Sequence, residues 1–267
     1  MSDQFITLAQ DLLKNGTAEI VIGYRSDAIT QKPIPFVAHT AEDCAQFILN
    51  DQCVFNLAVY LTKKEIAENK KVAVVLRPTG IRTVVVLAQE KQIDPALVLL
   101  IPWDGAKVRA PVDVAQAANM TAQKSVQDTQ AIEAATQFAQ RPTQERWDYF
   151  KKEFSKCIKC YACRASCPLC YCGSCIVEKN QPQWISPCTH AVGNYSWNIT
   201  RAFHLAARCT GCGNCERACP VDVPLSLINA RLEGMIKSSF DFVSGQTTEP
   251  GNAMLTFLKD DKDGFIL

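Results

Sequence analysis

Residues 157–175 read CIKCYACRASCPLCYCGSC, seven cysteines in nineteen positions. The chain has 267 residues and 14 cysteines, and only Cys44 and Cys53 precede this stretch. The other twelve lie between Cys157 and Cys219. The N-terminus, MSDQFITLAQDLLK, has neither a basic n-region nor a small-residue cleavage site, so a cytoplasmic location is expected. In that compartment the thiol pool keeps cysteines reduced, and crowded thiols point to metal ligation rather than disulfides. Cys44 and Cys53 are expected to be small buried hydrophobes of the core.

Spacing sorts the twelve. Cys157, Cys160, Cys163, Cys167 and Pro168 spell CxxCxxCxxxCP; Cys209, Cys212, Cys215, Cys219 and Pro220 spell it again. Three thiolates at i, i+3 and i+6 on one wrapped loop reach three iron corners of a 4Fe–4S cubane. The fourth cysteine, followed by proline, turns to the neighbouring cluster. The pattern therefore assigns Cys157, Cys160, Cys163 and Cys219 to one 4Fe–4S cluster, and Cys209, Cys212, Cys215 and Cys167 to the other. Gly211 and Gly213 suit a loop whose amides approach cluster sulfurs and tune the potential. Zinc is the competing assignment, but a tetrahedral zinc site draws on two CxxC pairs, not two triplets each trailed by CP.

Four cysteines remain: Cys170, Cys172, Cys175 and Cys188. They make one full ligand set for a third metal site, either 4Fe–4S or zinc, with His190 able to replace one ligand. The plainer alternative is that some are inert thiols beside the clusters.

Hydrophobic residues make up 48% of the chain, enough for a proper core. A net charge of +1 gives no reason to expect nucleic acid or an anionic membrane surface as partner. No apolar run approaches the ~20 residues of a membrane span. Residues 1–110 read as an α/β domain, a small parallel sheet covered by helices. Its strands are read within Gly16–Ser26, at Val72–Leu76 and in ALVLLIP ending at Pro102. Its helices are read over Thr40–Asn50 and Ile81–Gln92. Residues 111–142 read as a helical connector. Residues 143–240 then alternate helices with cysteine runs: a helix into Cys157, a helix over about Tyr195–Ala207, and a helix after Pro224. Residues 241–267 form a tail whose LKDDKDGFIL end reads as solvated charge closing on an apolar trio.

This alternation, and the segment CPVDVPLSLINARL, resemble the α-helical dicluster ferredoxin domain of succinate dehydrogenase iron–sulfur subunits and heterodisulfide reductase subunits. The stretch CIKCYACRASCPLCYCGSC resembles the cluster region of beta subunits of formate dehydrogenases and deazaflavin-reducing hydrogenases. KVAVVLRPTGIRTVVVLAQEKQI resembles the N-terminal domain of the same subunits, with Pro78-Thr79 where they carry Pro-Cys. The resemblance implies an electron-transfer subunit that relays single electrons through two 4Fe–4S clusters. The implied partners are other redox subunits, of formate dehydrogenase, hydrogenase or heterodisulfide reductase type. The further domain that binds flavin in that family has no room before Leu267, so flavin is not expected.

Two other readings are kept: a flavin-dependent subunit with its own substrate site in the N-terminal domain, and a structural zinc-binding interaction protein. The turn RPTGIR (Arg77–Arg82) lies where phosphates often bind, but without GxGxxG it reads as a turn. His204 reads as a packing residue. Lys151, Lys152, Lys156, Lys159 and Arg164 form a basic neighbourhood suited to an acidic partner. No Ser–His–Asp set, HExxH motif or paired carboxylates suggest a catalytic residue.

Overall fold

The computed structural model describes residues 2–121, 126–179 and 181–249. Helix α1 (Ser2–Lys14) buries Phe5, Ala9 and Leu12, one face at i, i+4 and i+7 spacing. Strands β1 (Ile20–Ser26) and β2 (Pro33–Ala38) follow, then the single turn α2 (Lys64–Ala67). Strand β3 (Val72–Leu76), helix α3 (Pro78–Gln89) and strand β4 (Val98–Pro102) complete the sheet region.

The strand order is β2-β1-β3-β4. β3 pairs parallel with both β1 and β4, as its unbroken apolar run requires. β2, however, pairs antiparallel with β1, from Val21 opposite Ala38 to Ser26 opposite Pro33. The sheet is therefore mixed, not the parallel sheet expected. The short Asp27–Lys32 connection leaves no length for a crossover. The Asp27 carboxylate closes it by accepting from the Thr30 amide at 2.7 Å. Pro33 and Pro35 fit β2 because an edge strand tolerates their missing N–H groups.

The helix expected over Thr40–Asn50 is replaced by one 3₁₀ turn, Asp43–Gln46. Phe47 leaves that turn in extended conformation and bridges to Arg25 of β1. Its ring packs 4.8 Å from Phe5 over Gly23, where a Cβ would lie 2.7 Å from it. Core packing outweighs the local helix signal there.

Helix α3 starts three residues earlier than expected, because Pro78 is pre-organised for the first helical turn. Every residue from Gly80 to Leu87 is buried, so α3 has no solvent face. One side lies on the sheet and the other meets the cysteine-rich region, where Val86 and Leu87 pack with Leu169 and Leu205.

The connector forms α4 (Val114–Met120), closed by an Asp113–Gln116 capping box, and α5 (Val126–Ala139), which packs along the last helix. Helix α6 (Thr143–Ser155) leads into the first cysteine run, which contains the single turn α7 (Ala162–Ala165). Helix α8 (Ala191–His204) separates the runs, and α9 (Asn214–Arg217) is the turn inside the second. Helix α10 (Leu225–Phe240) follows Pro224. α8 begins four residues before its expected start because the His190 ring caps it, Nδ1 accepting from the Gly193 amide at 3.3 Å. Among the described residues no helix is long and apolar enough to cross a membrane. The LKDDKDGFIL tail lies outside the described residues.

Candidate metal centre

The two cysteine runs repeat one backbone shape. In the second, Gly211 and Gly213 take positive φ, +71° and +73°. In the first, Lys159 and Tyr161 occupy the same offsets from the leading cysteine and also take positive φ, 53° and 57°. Each run then makes one helical turn, α7 or α9. Glycine enters the left-handed region without steric cost, whereas lysine and tyrosine must be held there. Tyr161 is held by an edge-on contact with Trp197, ring centroids 5.0 Å apart. Lys159 is held by donating from Nζ to the Ser186 carbonyl.

Helix α8 supports the first run from one face. Asn194 Nδ2 donates to the Cys157 carbonyl at 2.7 Å, and Arg201, two turns on, donates to the Cys163 carbonyl at 2.9 Å. Asn214 links the second run to the first and to the sheet region. Its amide donates to the Ser166 carbonyl at 3.0 Å, and its Oδ1 accepts from the Asn56 backbone at 2.8 Å. A buried chain continues through Asn56 to Thr83 of α3 at 2.9 Å and on to Thr210 at 2.8 Å. The RPTGIR turn thus spends its polar groups on docking. Arg77 stacks 4.5 Å over Trp103 and bonds the Cys53 carbonyl, and Thr83 just beyond reaches the second run.

Cys167 of the first run lines a cavity of about 40 Å³ together with Cys209, Cys212 and Cys215 of the second. Cys157, Cys163 and Cys219 pack against one apolar cluster formed by Phe154, Val223, Leu225 and Cys215. Cys160 is exposed. Burial pushes the Cys163 thiol up to about 11, against the pull of Arg201, and nearby Cys215, Cys157 and Cys219 push the same way. Burial likewise raises Cys215 to about 11. Cys209 and Cys212 are raised by burial too, opposed at Cys209 by an amide hydrogen bond from Gly211. Thiols so buried ionise only if a cation replaces the proton, as a thiolate-ligated metal does.

Arg201 supplies the sharpest test of that fit. It is 4% exposed, and its Nε has no hydrogen-bond partner. Burial works against its charge, yet Cys215, Cys167, Cys163 and Cys170 hold it firmly protonated. A buried cation with an unused donor among four cysteines fits anionic clusters on both sides of it. Among the described residues, no three His, Cys, Asp or Glu side chains gather closely enough to hold one metal ion. A zinc tetrahedron with 2.3 Å bonds needs donors about 3.8 Å apart. Here the thiols line spaces rather than meet at a point.

The four surplus cysteines divide. Cys170, Cys172 and Cys175 line a second cavity of about 220 Å³, walled also by Arg164, Arg201, His204 and Arg208. Cys188 is exposed and lies off that lining, its amide bonded to Ser186 Oγ at 3.2 Å. His190 is the cap of α8. His204, expected as a packing residue, is exposed and borders the cavity. Arg201 escaped notice in the sequence, and His204 was read there only as packing. Their only signal there was polar residues on an otherwise apolar helix beside the second run. The expected basic neighbourhood divides: Lys151, Lys152 and Lys156 are exposed, Lys156 pairing with Glu153 at 2.6 Å, whereas Lys159 is buried and Arg164 pairs with Glu178. Cys44 and Cys53 are buried core residues, as expected.

Comparison with known proteins agrees with this chemistry. The 4Fe-4S binding domain family (Fer4) matches residues 205–224. An F420-dependent formate dehydrogenase subunit beta of Methanocaldococcus jannaschii is 36% identical over 107 residues, 39% of this chain and 26% of that protein. An F420-dependent formate dehydrogenase 1 subunit beta of Methanococcus maripaludis is 50% identical over 34 residues, 13% of this chain and 8% of its own length. The match thus spans about a quarter of the longer-matched curated relative. Residues 205–224 thus match a 4Fe–4S binding domain, and part of the chain is similar to beta subunits of F420-dependent formate dehydrogenases.

Proposed function

We propose that this chain is an electron-relay subunit of a cytoplasmic oxidoreductase complex of the formate dehydrogenase type, holding two 4Fe–4S clusters in a helical ferredoxin domain. Cys157, Cys160, Cys163 and Cys219 would hold one; Cys209, Cys212, Cys215 and Cys167 the other. A bound 4Fe–4S cluster accepts and releases single electrons. The chain's own residues do the rest. Gly211 and Gly213 admit the wrapped loop, Asn194 and Arg201 fix the first run, and Asn214 locks the two runs together. Phe154, Val223 and Leu225 keep water from the thiols. Arg201 places positive charge between the two ligand sets.

One observation carries the reading. Cys167 comes 42 positions before Cys209, yet it shares a cavity with Cys209, Cys212 and Cys215, the crossed arrangement that brings two clusters close. We also place a third metal site at Cys170, Cys172 and Cys175. A flavin reading gains little from the sheet region. The cavity at the carboxyl ends of β3 and β4, where open α/β sheets bind ligands, is about 120 Å³, below the roughly 300 Å³ at which cofactor pockets begin; the wider one, about 350 Å³, lies at the opposite ends, by Val72 and Val98.

The test is anaerobic quantification of iron, sulfide and zinc on the full chain, with EPR of the dithionite-reduced protein. At least about eight irons per chain, with signals broadened by coupling between clusters, are expected. Mainly zinc, or about four irons, would sink the two-cluster relay.

A further inference from the structure

We propose that the cavity at Cys170, Cys172 and Cys175 holds a third 4Fe–4S cluster whose fourth ligand is His204, not Cys188. This rests on the third metal site placed above and names its ligands and its group. Four observations converge. Cys170, Cys172, Cys175 and His204 border one cavity of about 220 Å³, and Cys188 does not. Among the described residues no three of these side chains converge on one point, and the space they border is wider than one ion.

The walls are cationic. Arg164, Arg201 and Arg208 all line the cavity; Arg164 and Arg208 are paired with Glu178 and Glu90, whereas Arg201 has no ion pair among the described residues and its buried Nε has no hydrogen-bond partner. Three thiolates on a cluster leave net negative charge, which such walls favour.

The backbone that carries the ring is also anchored. His204 ends α8, and its carbonyl accepts from Arg208 Nη1 at 3.3 Å. Arg208 is in turn gripped by both carboxylate oxygens of Glu90 on α3, at 2.6 and 2.8 Å. Tyr171, between Cys170 and Cys172, donates to that same carboxylate at 2.7 Å. The helix bearing the histidine and the loop bearing the thiols are therefore anchored to one residue.

Lastly, the site adjoins the relay. Leu169, Arg201 and Leu205 line both this cavity and the one holding Cys167, a single layer of side chains between them. Cys172 and His204 are exposed, so this site opens to the surface.

A neutral imidazole in place of one thiolate reduces the negative charge at the cluster and raises its potential. The experiment uses the full chain, reconstituted anaerobically with iron and sulfide. Wild type is expected to bind about twelve irons, and His204→Ala and Cys172→Ser about eight, while Cys188→Ser stays at about twelve. Pulsed EPR of the reduced wild type is expected to show a nitrogen coupling from imidazole. His204→Cys, which keeps a ligand and guards against mere misfolding, is expected to keep about twelve irons, lose that coupling and lower one midpoint potential. Wild type at about eight irons overturns the third cluster while the two-cluster relay stands; fewer than about eight overturns the relay itself. Zinc in place of the last four irons overturns the choice of group. Loss of four irons in Cys188→Ser but not in His204→Ala overturns the histidine.

Discussion

Arg82 and Glu233, 151 positions apart, form a buried ion pair at 3.1 Å, their side chains 3% and 8% exposed. The pair joins α3, on the sheet, to α10, behind the second cysteine run. Arg82 Nε also donates to the Ser244 carbonyl at 3.0 Å, so one guanidinium gathers three segments. Glu233 borders the cavity of Cys209, Cys212 and Cys215. Removing one partner takes away a buried counter-charge at a cost of up to about 3–5 kcal/mol, while removing both costs much less. Glu233→Leu should therefore unfold at clearly lower urea concentration than wild type, and Arg82→Met/Glu233→Leu should recover most of the difference. Equal loss in the single and double variants would refute the pairing energetics.

Arg201 should govern potential more than fold. An added electron on either proposed cluster would be stabilised by its charge. By Coulomb's law at an effective dielectric of about 20, a unit charge a few ångströms away is worth on the order of 100 mV. Arg201→Met should lower the midpoint potentials of the two clusters by that order, read by EPR-monitored redox titration. Unchanged potentials with full iron content would show that Arg201 is purely structural.

Asn214 ties three backbone segments. Replacing it by Ala leaves the Asn56 N–H and the Ser166 carbonyl without their partner. Each buried backbone group so left costs about 1–3 kcal/mol. Asn214→Ala should lower the denaturation midpoint and speed iron loss to a chelator. Asn214→Asp should spare the Asn56 bond and lose the one to Ser166, giving an intermediate rate.

Gly213 has φ +73°, and a Cβ there would lie 2.6 Å from Arg217 Nη1. Gly213→Ala should cost about 1–3 kcal/mol through backbone strain and weaken cluster retention. At the matching offset Tyr161 already bears that strain in exchange for its Trp197 contact, so Tyr161→Ala should destabilise the first run through lost packing. Hydrogen exchange across residues 157–175 would register both effects.

Iron removal should act unevenly. Structural metal binding contributes directly to folding of the segment that holds it. Chelation should therefore raise amide exchange in residues 157–175 and 205–224 while β1, β3 and β4, packed in their own apolar core, stay protected. Uniform loss of protection would show that the sheet region depends on the clusters for its fold.

The cysteine pattern was legible because its information is local. A loop of seven residues sets where three thiols can reach, and CxxCxxCxxxCP states that geometry outright. The all-apolar β3, the proline-led α10 and the aromatic α6 were legible for the same reason: period and caps lie within one element.

What the tertiary structure decided involves choices between distant partners. Phe47 gave up a local helix for a place against Phe5. β2 paired antiparallel because its hairpin is short and its prolines need an edge. Lys159 and Arg164, counted on sequence as a docking surface, turned inward to Ser186 and Glu178. Cys188 shares a composition with Cys170, Cys172 and Cys175 but not a cavity, and His204 shares the cavity from a different helix. Charge and thiol chemistry are written residue by residue; which of them share a low-dielectric space is set only when α3 and α8 close around the loops.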